Sequence, residues 1–310
     1  MDDIYDGFKS GFACLVGRPN TGKSTLVNAV LGQQGAVVSS RPQTTRHAIR
    51  GIVNVPGAQL VLIDTPGLSK PRALLQTRLN DLVAETLTDV DIIGVCLPSD
   101  QRPGPGDQRI VAQLAGLPEH PPLVALATKA DRVGPERLSQ HLLAIDAMGP
   151  EAGIEWTHIV PCSAVTGWQV PEVRDVFVSL LEPGPRFYPG DEVTDEPSNV
   201  MIAELIREAA LELVRDELPH SIAVEVMEVN ERPDRPPDKP LWDIFANLVV
   251  ERDSQKHIVI GQGASVIKQI GTAARLRINA LLDMRVYLDL RVKVVPNWQH
   301  DPKQLARLGF

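Results

Sequence analysis

The residues with the most recognisable chemistry are the eight from Gly17 to Ser24, which read Gly-Arg-Pro-Asn-Thr-Gly-Lys-Ser. They fit the phosphate-loop pattern G-x-x-x-x-G-K-[ST], follow the apolar run 12–16 and precede a helix-like segment, 25–31. In that setting backbone amides face the phosphates, Lys23 adds a positive charge near the β and γ groups, and Ser24 offers a hydroxyl to Mg²⁺. The pattern predicts nucleotide binding, rather than a merely glycine-rich turn, by Gly17, Arg18, Pro19, Asn20, Thr21, Gly22, Lys23, Ser24 and Thr25.

A second polar cluster, Asp64-Thr65-Pro66-Gly67, follows the apolar run 60–63. A carboxylate at a strand end can hold Mg²⁺ through water, and the Gly67 amide can bind a terminal phosphate. Alone, the cluster would more often be a turn. Its place behind a strand, 41 residues after Lys23, favours a nucleotide contact.

Two further clusters follow the apolar runs 123–127 and 159–161. In the first, Thr128-Lys129-Ala130-Asp131, the Asp131 carboxylate can accept hydrogen bonds from guanine N1 and the exocyclic amine, which adenine cannot offer. The Lys129 stem can cover the base. Ser163-Ala164 can supply a backbone amide to guanine O6. Each cluster alone is common, so the prediction rests on their order.

The spacing of these clusters predicts how they are brought together. Apolar strand-like runs alternate with helix-like stretches, which is typical of an α/β fold with a mostly parallel sheet covered by helices. In such sheets ligands bind beyond the carboxyl ends of the strands, so the clusters should converge. The polar segment 41–47 can add a threonine to the Mg²⁺ shell, or it is an ordinary connecting loop.

Composition limits the classes of protein. The chain has 310 residues, 43% apolar and 23% charged, which suits two soluble globular domains. An acidic start and the lack of a long apolar run predict a cytosolic protein. The three cysteines lack metal-ligand spacing and favour buried thiols over a disulfide or zinc site. The net charge is −8, yet residues 252–310 hold ten Lys and Arg against four Asp and Glu, which fits either polyanion binding or a solvated surface.

Proline and glycine between positions 183 and 197 predict a domain boundary. We assign residues 1–183 to a nucleotide-binding domain, 184–198 to a linker and 199–310 to a smaller α+β domain. In that domain the periodicity predicts a helix over 199–218, strands over 222–226 and 241–251, a helical segment through Leu282 and a strand over 285–295.

The five clusters of the first domain resemble the motifs of translation-factor-related GTPases. The phosphate loop and Pro42-Gln43-Thr44-Thr45-Arg46 resemble in particular the Era family of ribosome-assembly GTPases. The resemblance implies that Thr45, with Thr44 as the alternative, is the γ-phosphate sensor and binds Mg²⁺ with Ser24 and Asp64. The expected catalytic groups are then Lys23, Thr45, Asn20 and Gly67.

Three residues bear on the rate and affinity of such an enzyme. Leu68 stands where many GTPases carry a water-orienting glutamine, so intrinsic hydrolysis should be slow. Asn20 matches an asparagine that coordinates K⁺ in related GTPases, or it only shapes the loop. Thr128 replaces the asparagine of N-K-x-D, so guanine preference is kept through Asp131 while affinity falls by about 1 kcal/mol.

The second domain has the element order of a type II KH domain, which binds single-stranded RNA through a G-x-x-G loop between two helices. The resemblance to Era includes Ile206-Arg207-Glu208 and Trp298. The loop is Gly261-Gln262-Gly263-Ala264, in which alanine replaces the second glycine, so RNA affinity is reduced but kept. Lys256, Lys268, Arg275 and Lys293 are the expected phosphate contacts.

The resemblance implies a GTP-dependent switch that binds GTP and GDP, uses Mg²⁺, and binds 16S rRNA during assembly of the 30S ribosomal subunit. It further implies a cytoplasmic monomer, with peripheral association at the inner face of the cell membrane left open. A rival is a nucleotide-dependent regulator that binds protein or membrane partners, with a KH-like module impaired by Ala264. An ATP-using enzyme is opposed by Asp131, and a tandem-domain large-subunit factor by the single phosphate loop.

Overall fold

The chain divides into two units, which are Met1–Pro71 with Arg78–Asp195, and Arg72–Thr77 with Glu196–Phe310. The domain boundaries given above, 1–183, 184–198 and 199–310, stay a prediction. The structure is a computed structural model and describes residues 7–32, 46–118, 121–190, 192, 194, 198–214, 221–233, 235–236, 240–282 and 285–310.

A six-stranded sheet forms the framework of the first unit, and its strands are β1 (Lys9–Val16), β2 (Ile49–Val55), β3 (Ala58–Asp64), β4 (Ile92–Pro98), β5 (Leu123–Thr128) and β6 (His158–Pro161). Their order in the sheet is β2-β3-β1-β4-β5-β6. β2 is antiparallel to β3, and every other neighbouring pair is parallel. The predicted mostly parallel α/β sheet is therefore confirmed.

Helices lie between these strands and cover the sheet. Every residue of β3, β4 and β5 is buried, as expected where helices cover both faces of a parallel sheet. The carboxyl ends of the central strands therefore open onto one edge. The helices are α1 (Lys23–Leu31), α2 (Leu74–Thr88, which belongs to this unit from Arg78 onward), α3 (Pro105–Ala115), α4 (Pro135–Ala152) and α5 (Val170–Leu180).

Strand β2 was missed by the sequence analysis. Among the described strands it pairs only with β3, and its Arg50 and Asn54 are exposed. A strand at the edge of a sheet tolerates charged and polar residues, so its sequence lacks the uninterrupted apolar run of the central strands.

The chain after α5 stays attached to the same sheet. Gly184 N donates to Phe8 O at 3.0 Å. The fully buried Gln59 of β3 accepts from Phe187 N at 2.8 Å and Tyr188 N at 3.0 Å, and its Nε2 donates to Tyr188 O at 2.9 Å. The first residues of the predicted linker are thus hydrogen-bonded to the sheet of the first unit.

The elements of the second unit are α6 (Ser198–Leu213), β7 (Ala223–Glu231), β8 (Trp242–Val250), α7 (Asp253–Ile260), α8 (Ser265–Leu282), β9 (Val286–Val294) and α9 (Pro302–Arg307). Its three-stranded sheet has the order β7-β8-β9, antiparallel between β7 and β8 and parallel between β8 and β9. The observed order of helix, two strands, two helices and strand is the one predicted. Within the described ranges no helix is both long and apolar enough to cross a bilayer.

Aliphatic side chains of α6, the sheet and α8 form the core of this unit, among them Ile206, Leu248 and Ile278, all fully buried. Trp298 lies between β9 and α9. Its ring is fully buried, lies stacked 6.3 Å from that of Phe310, and its Nε1 donates to Ser221 O at 3.1 Å. The C-terminal segment is therefore packed against the unit.

Candidate functional site

The phosphate loop connects β1 to α1, and Lys23 is the first residue of that helix. Its buried Nζ donates to Gly17 O at 3.3 Å and to Arg18 O at 3.1 Å. Burial lowers the pKa of Lys23, and the Asp64 carboxylate opposes that shift. A bound phosphate adds negative charge beside this ammonium and so favours its charged form.

Ser24 and Asp64 come together from α1 and the end of β3. Ser24 Oγ donates to Asp64 Oδ2 at 2.6 Å, and Asp64 is fully buried. A hydroxyl and a carboxylate are the hard oxygen ligands that Mg²⁺ prefers, so these two groups fit the predicted metal site. The predicted third ligand, Thr45, and its alternative, Thr44, lie outside the described residues.

The segment Asp64–Leu68 lies against the phosphate loop. A Cβ at Gly67 would lie 2.7 Å from Pro19 Cα, so only glycine fits this approach. Leu68 N donates to Gly17 O at 3.1 Å, and Thr65 Oγ1 donates to Leu15 O at 2.6 Å. Pro66 is buried and Leu68 is only 8% exposed, so the leucine packs rather than facing a water.

The predicted base-binding residues contact the other side of the loop. Thr128 Oγ1 donates to Thr21 O at 2.5 Å, and Lys129 Nζ donates to Asn20 O at 2.7 Å. Asn20 is exposed and has a φ of 67°, a left-handed conformation that asparagine tolerates. Asp131 is exposed beyond β5. The predicted base-binding cluster Thr128–Asp131 is therefore hydrogen-bonded to the phosphate loop.

Ser163 and Ala164 follow β6, the neighbour of β5. Ala130 N donates to Cys162 O at 3.1 Å, which joins the two strand ends beside Asp131. Ser163 is buried and Ala164 is partly exposed. The structure thus places the Gly17–Thr25, Asp64–Leu68, Thr128–Asp131 and Ser163–Ala164 clusters at one edge of the sheet. Their roles as ligands of GTP stay predictions.

The hydrogen bond from Thr128 to Thr21 reduces the expected loss of nucleotide affinity that results from having threonine in place of asparagine at position 128. The hydroxyl supplies a contact to the phosphate loop, so the expected loss is limited to the hydrogen bond that an asparagine amide could make to guanine. We expect Thr128→Asn to raise GDP affinity about fivefold, since one neutral hydrogen bond contributes on the order of 1 kcal/mol. Thr128→Val, which leaves a buried carbonyl without its donor, is expected to lower affinity about tenfold.

Titration with a fluorescent GDP analogue measures both changes. Thr88→Val, at a threonine on the exposed end of α2, is the control. Equal affinities for Thr128→Val and the wild type would show that the hydroxyl bond contributes nothing to the site.

Two acidic residues after β4 were missed by the sequence analysis. Asp100 Oδ2 lies 3.7 Å from Lys129 Nζ and accepts from Arg132 at 3.0 Å. Asp107 Oδ1 accepts from Arg18 Nε at 2.7 Å. Asp100 could have been found from the sequence, because Ser99-Asp100 follows β4 at the same edge of the sheet as the other clusters.

The three cysteines, Cys14, Cys96 and Cys162, are buried as free thiols in the first unit. Burial raises the pKa of Cys14 and of Cys162 to about 12 and raises that of Cys96 as well. In the part of the chain that the structure describes, no three His, Cys, Asp or Glu side chains form a metal-binding group.

The predicted RNA-binding loop joins α7 to α8. Gly261, Gly263 and Ala264 have φ values of 71°, 60° and 61°, all in the left-handed region. Alanine in that region is disfavoured by roughly 1–2 kcal/mol relative to its usual conformation. Gln262 and Gly263 are exposed, while Gly261 and Ala264 are partly exposed. Ala264 therefore adopts the backbone conformation of a glycine at a cost in stability.

The predicted RNA-contacting cations are only partly brought together. Lys268 and Arg275 on α8 line a cavity of about 450 Å³, which Tyr287, Leu288 and Leu290 of β9 also line. Lys256 on α7 and Lys293 at the end of β9 do not line it. Tyr287 was missed. Its ring is 48% exposed, and the guanidinium of Arg232 lies 5.3 Å from its centroid.

Comparison with known proteins supports two families of domain. The model of the family described as "50S ribosome-binding GTPase" matches residues 12–129, and that of the family described as "KH domain" matches residues 217–299. GTPase Era of Streptomyces coelicolor is 57% identical over 302 residues, which cover 97% of this chain and 95% of the relative. The chain belongs to the Era family. GTPase Era of Mycolicibacterium smegmatis is 55% identical, with 98% and 99% covered.

Two solved structures of Era superpose on the chain. One is Era in complex with MgGDPNP and nucleotides 1506–1542 of 16S ribosomal RNA, and the other is a variant of Aquifex aeolicus Era bound to GDP.AlF4⁻. Each has a TM-score of 0.90 and 32% identity, and covers 97% of this chain and 99% of the Era chain. The likeness to Era therefore includes both units.

The left-handed backbone conformation of Ala264 allows a test of the predicted RNA-binding loop. We expect Ala264→Gly to raise affinity for single-stranded RNA about three- to tenfold, because glycine relieves the backbone strain and removes a methyl group where the RNA backbone is predicted to pass. The unfolding free energy should rise by about 0.5 kcal/mol, less than the strain relieved, since glycine also gains freedom in the unfolded chain.

Fluorescence anisotropy with a labelled RNA oligonucleotide measures the affinity. Ala280→Gly, at an exposed position within α8, is the matched control and is expected to lower stability instead. Unchanged RNA affinity for Ala264→Gly would contradict the expectation.

Proposed function

We propose that the protein hydrolyses GTP to GDP and phosphate and, as a GTP-dependent switch, binds 16S rRNA during assembly of the 30S ribosomal subunit. The observation that carries the proposal is the match, over 97% of the chain, to an Era structure that contains both MgGDPNP and 16S rRNA. The description that names the 50S particle applies to a model matching only residues 12–129. The RNA of the whole-chain match is therefore the better guide.

The residues around the phosphate loop support slow, assisted hydrolysis. Lys23 contributes a buried positive charge, and the amides of the loop and of Gly67 can bind the phosphate oxygens on which charge develops in an in-line attack by water. Ser24 and Asp64 would hold Mg²⁺, with Thr45 proposed as a further ligand. When bound, that ion neutralises phosphate charge. No side chain at position 68 can orient the water, because Leu68 is buried and apolar.

The residues around the KH loop support RNA as the partner. Lys268 and Arg275 line the same cavity as the exposed Tyr287. The two cations can contact phosphates, and the tyrosine ring offers one surface on which a base can stack. The sequence analysis named no aromatic RNA contact, and Tyr287 can supply one. A regulator that binds protein or membrane partners through an impaired KH-like module remains the second candidate, since Ala264 is the observation that favours it.

The test is RNA binding by the full chain with a GTP analogue, with GDP and without nucleotide. A 3′-terminal small-subunit rRNA oligonucleotide is compared with a scrambled one at fixed salt, because phosphate contacts alone give strong salt dependence. Sequence-selective binding that is tighter with the GTP analogue supports the proposal. Equal, weak binding to both RNAs in all three states, with intact GTP hydrolysis, supports the regulator instead.

K⁺ dependence is a further part of the proposal, based on Asn20 in the phosphate loop. A K⁺ ion near this residue would add positive charge beside the phosphates. We expect faster GTP turnover in K⁺ than in Na⁺ at matched ionic strength, measured by phosphate release. Asn20→Ala is expected to remove the difference. Equal turnover of the wild type in the two salts would rule out this role.

Location and oligomeric state follow from the same proposal. A factor that acts on the ribosome is expected to be cytoplasmic, and a monomer is expected by sedimentation. Peripheral association with the inner face of the membrane is a separate prediction, which flotation with anionic vesicles tests.

A further inference from the structure

The side chain of Arg18 contacts α3 rather than the space expected for nucleotide. Its Nε donates to Asp107 Oδ1 at 2.7 Å, and one terminal nitrogen donates to Gln101 Oε1 at 3.3 Å. Asp107 is 1% exposed, and its second oxygen accepts from Gly104 N at 2.9 Å. Both oxygens of this buried carboxylate are thus engaged, and they join the phosphate loop to the start of α3.

The fit between the two elements is close. A Cβ at Gly106 would lie 2.5 Å from Arg18 Cδ, so the arginine stem lies across a position where only glycine leaves room. Pro105 begins the helix, and Asp107 caps it by accepting from the Gly104 amide. The hydrogen bond from Gly104 therefore fixes the position of the Asp107 carboxylate independently of its contact with Arg18.

The backbone of Arg18 faces the catalytic lysine. Its carbonyl accepts from Lys23 Nζ at 3.1 Å and from Thr21 Oγ1 at 3.0 Å. A displacement of Arg18 would therefore displace an oxygen that contacts Lys23. Arg18 thus connects the ammonium of Lys23 to the carboxylate of Asp107, which lies 89 positions after Arg18 in the sequence.

We propose that Arg18 and Asp107 are positioning residues for GTP hydrolysis. Their ion pair fixes the phosphate-loop backbone on α3 and so holds Lys23 where negative charge develops in the transition state. The nucleotide contact predicted for Arg18 from sequence stays a prediction, and the role proposed here, which acts through Lys23, is additional to it. The inference rests on the proposed GTPase function.

Misplacing a group by about 1 Å costs up to about 100-fold in rate, whereas ground-state binding, which is shared among many amides, tolerates such a shift. We expect Arg18→Gln and Asp107→Asn each to lower kcat about 10- to 100-fold while the KM for GTP and the affinity for GDP change less than threefold. Arg18→Lys keeps the charge but not the planar fork, so its kcat is expected to be intermediate.

The experiment measures steady-state kinetics, GDP affinity and thermal unfolding for these variants, for Arg18→Gln/Asp107→Asn and for Arg109→Gln. Arg109 is an exposed arginine on α3 and serves as the matched control. The double variant is expected to be no slower than the slower single variant, because both changes break one contact.

Three results would overturn the proposal. They are a kcat within twofold of wild type for Arg18→Gln, additive losses in the double variant, and a parallel loss of kcat and GDP affinity. If Asp107→Asn does not fold, the comparison of Arg18→Gln, Arg18→Lys and Arg109→Gln decides. An inactive wild type that still binds GDP would instead contradict the proposed function.

Discussion

Replacing Asp131 by asparagine is expected to lower GTP affinity at least 100-fold and to give the protein affinity for xanthosine triphosphate. The carboxylate of Asp131 can accept two hydrogen bonds from guanine, and bonds to a charged group contribute about 1.5–3 kcal/mol each. Xanthine carries a carbonyl in place of the exocyclic amine, and an asparagine amide can donate to it. The selectivity between the two bases should therefore reverse.

Competition of GTP, XTP and ATP against a fluorescent GDP analogue measures this change. Asp131 is exposed, so the substitution leaves the core intact. Asp146→Asn, at an exposed aspartate of α4, is the control and is expected to bind GTP like the wild type. If Asp131→Asn keeps wild-type GTP affinity, Asp131 is not the residue that selects guanine.

Replacing Trp298 by alanine is expected to destabilise the second unit by about 3–5 kcal/mol, the usual range for removal of a large buried aromatic ring. The ring is fully buried beside Phe310 and bonds to Ser221 O. That loss is a large part of the stability of an ordinary domain. RNA binding should therefore be lost while GDP binding, which depends on the first unit, is kept.

Urea unfolding monitored by circular dichroism, with RNA and GDP binding on the same samples, tests this expectation. Trp298→Phe keeps most of the buried area but leaves Ser221 O without its donor, so its loss should be smaller, about 1–3 kcal/mol. Trp168→Ala, at a tryptophan that is 45% exposed, is expected to change stability by less than about 0.5 kcal/mol. Unchanged RNA affinity for Trp298→Ala would show that this ring does not support the RNA-binding surface.

Features set by local sequence were predictable. The phosphate loop is a contiguous pattern between a strand and a helix, and the clusters at Asp64 and Thr128 follow apolar runs that became β3 and β5. The order of elements in the second unit also agreed with the predicted order. In each case neighbouring residues carry the signal, through periodicity or through the residue types that a tight turn requires.

Features set by distant contacts were not predictable. Asp107 contacts Arg18 only because β4 lies beside β1 in the sheet, and no local pattern pairs two residues 89 positions apart. The hydrogen bonds from Phe187 and Tyr188 to Gln59 also join residues that are far apart in the sequence, so no local pattern predicts them. Tyr287 was missed because a tyrosine in a strand is equally typical of a packed residue and of a base-stacking surface.

The buried cysteines give this protein a natural reporter of its own opening. A thiol reacts as the thiolate, which burial makes scarce at neutral pH, so alkylation of Cys14, Cys96 or Cys162 requires exposure first. All three lie in the first unit and the second has none. The rate of thiol alkylation therefore measures how often the GTP-binding half opens, without interference from the RNA-binding half.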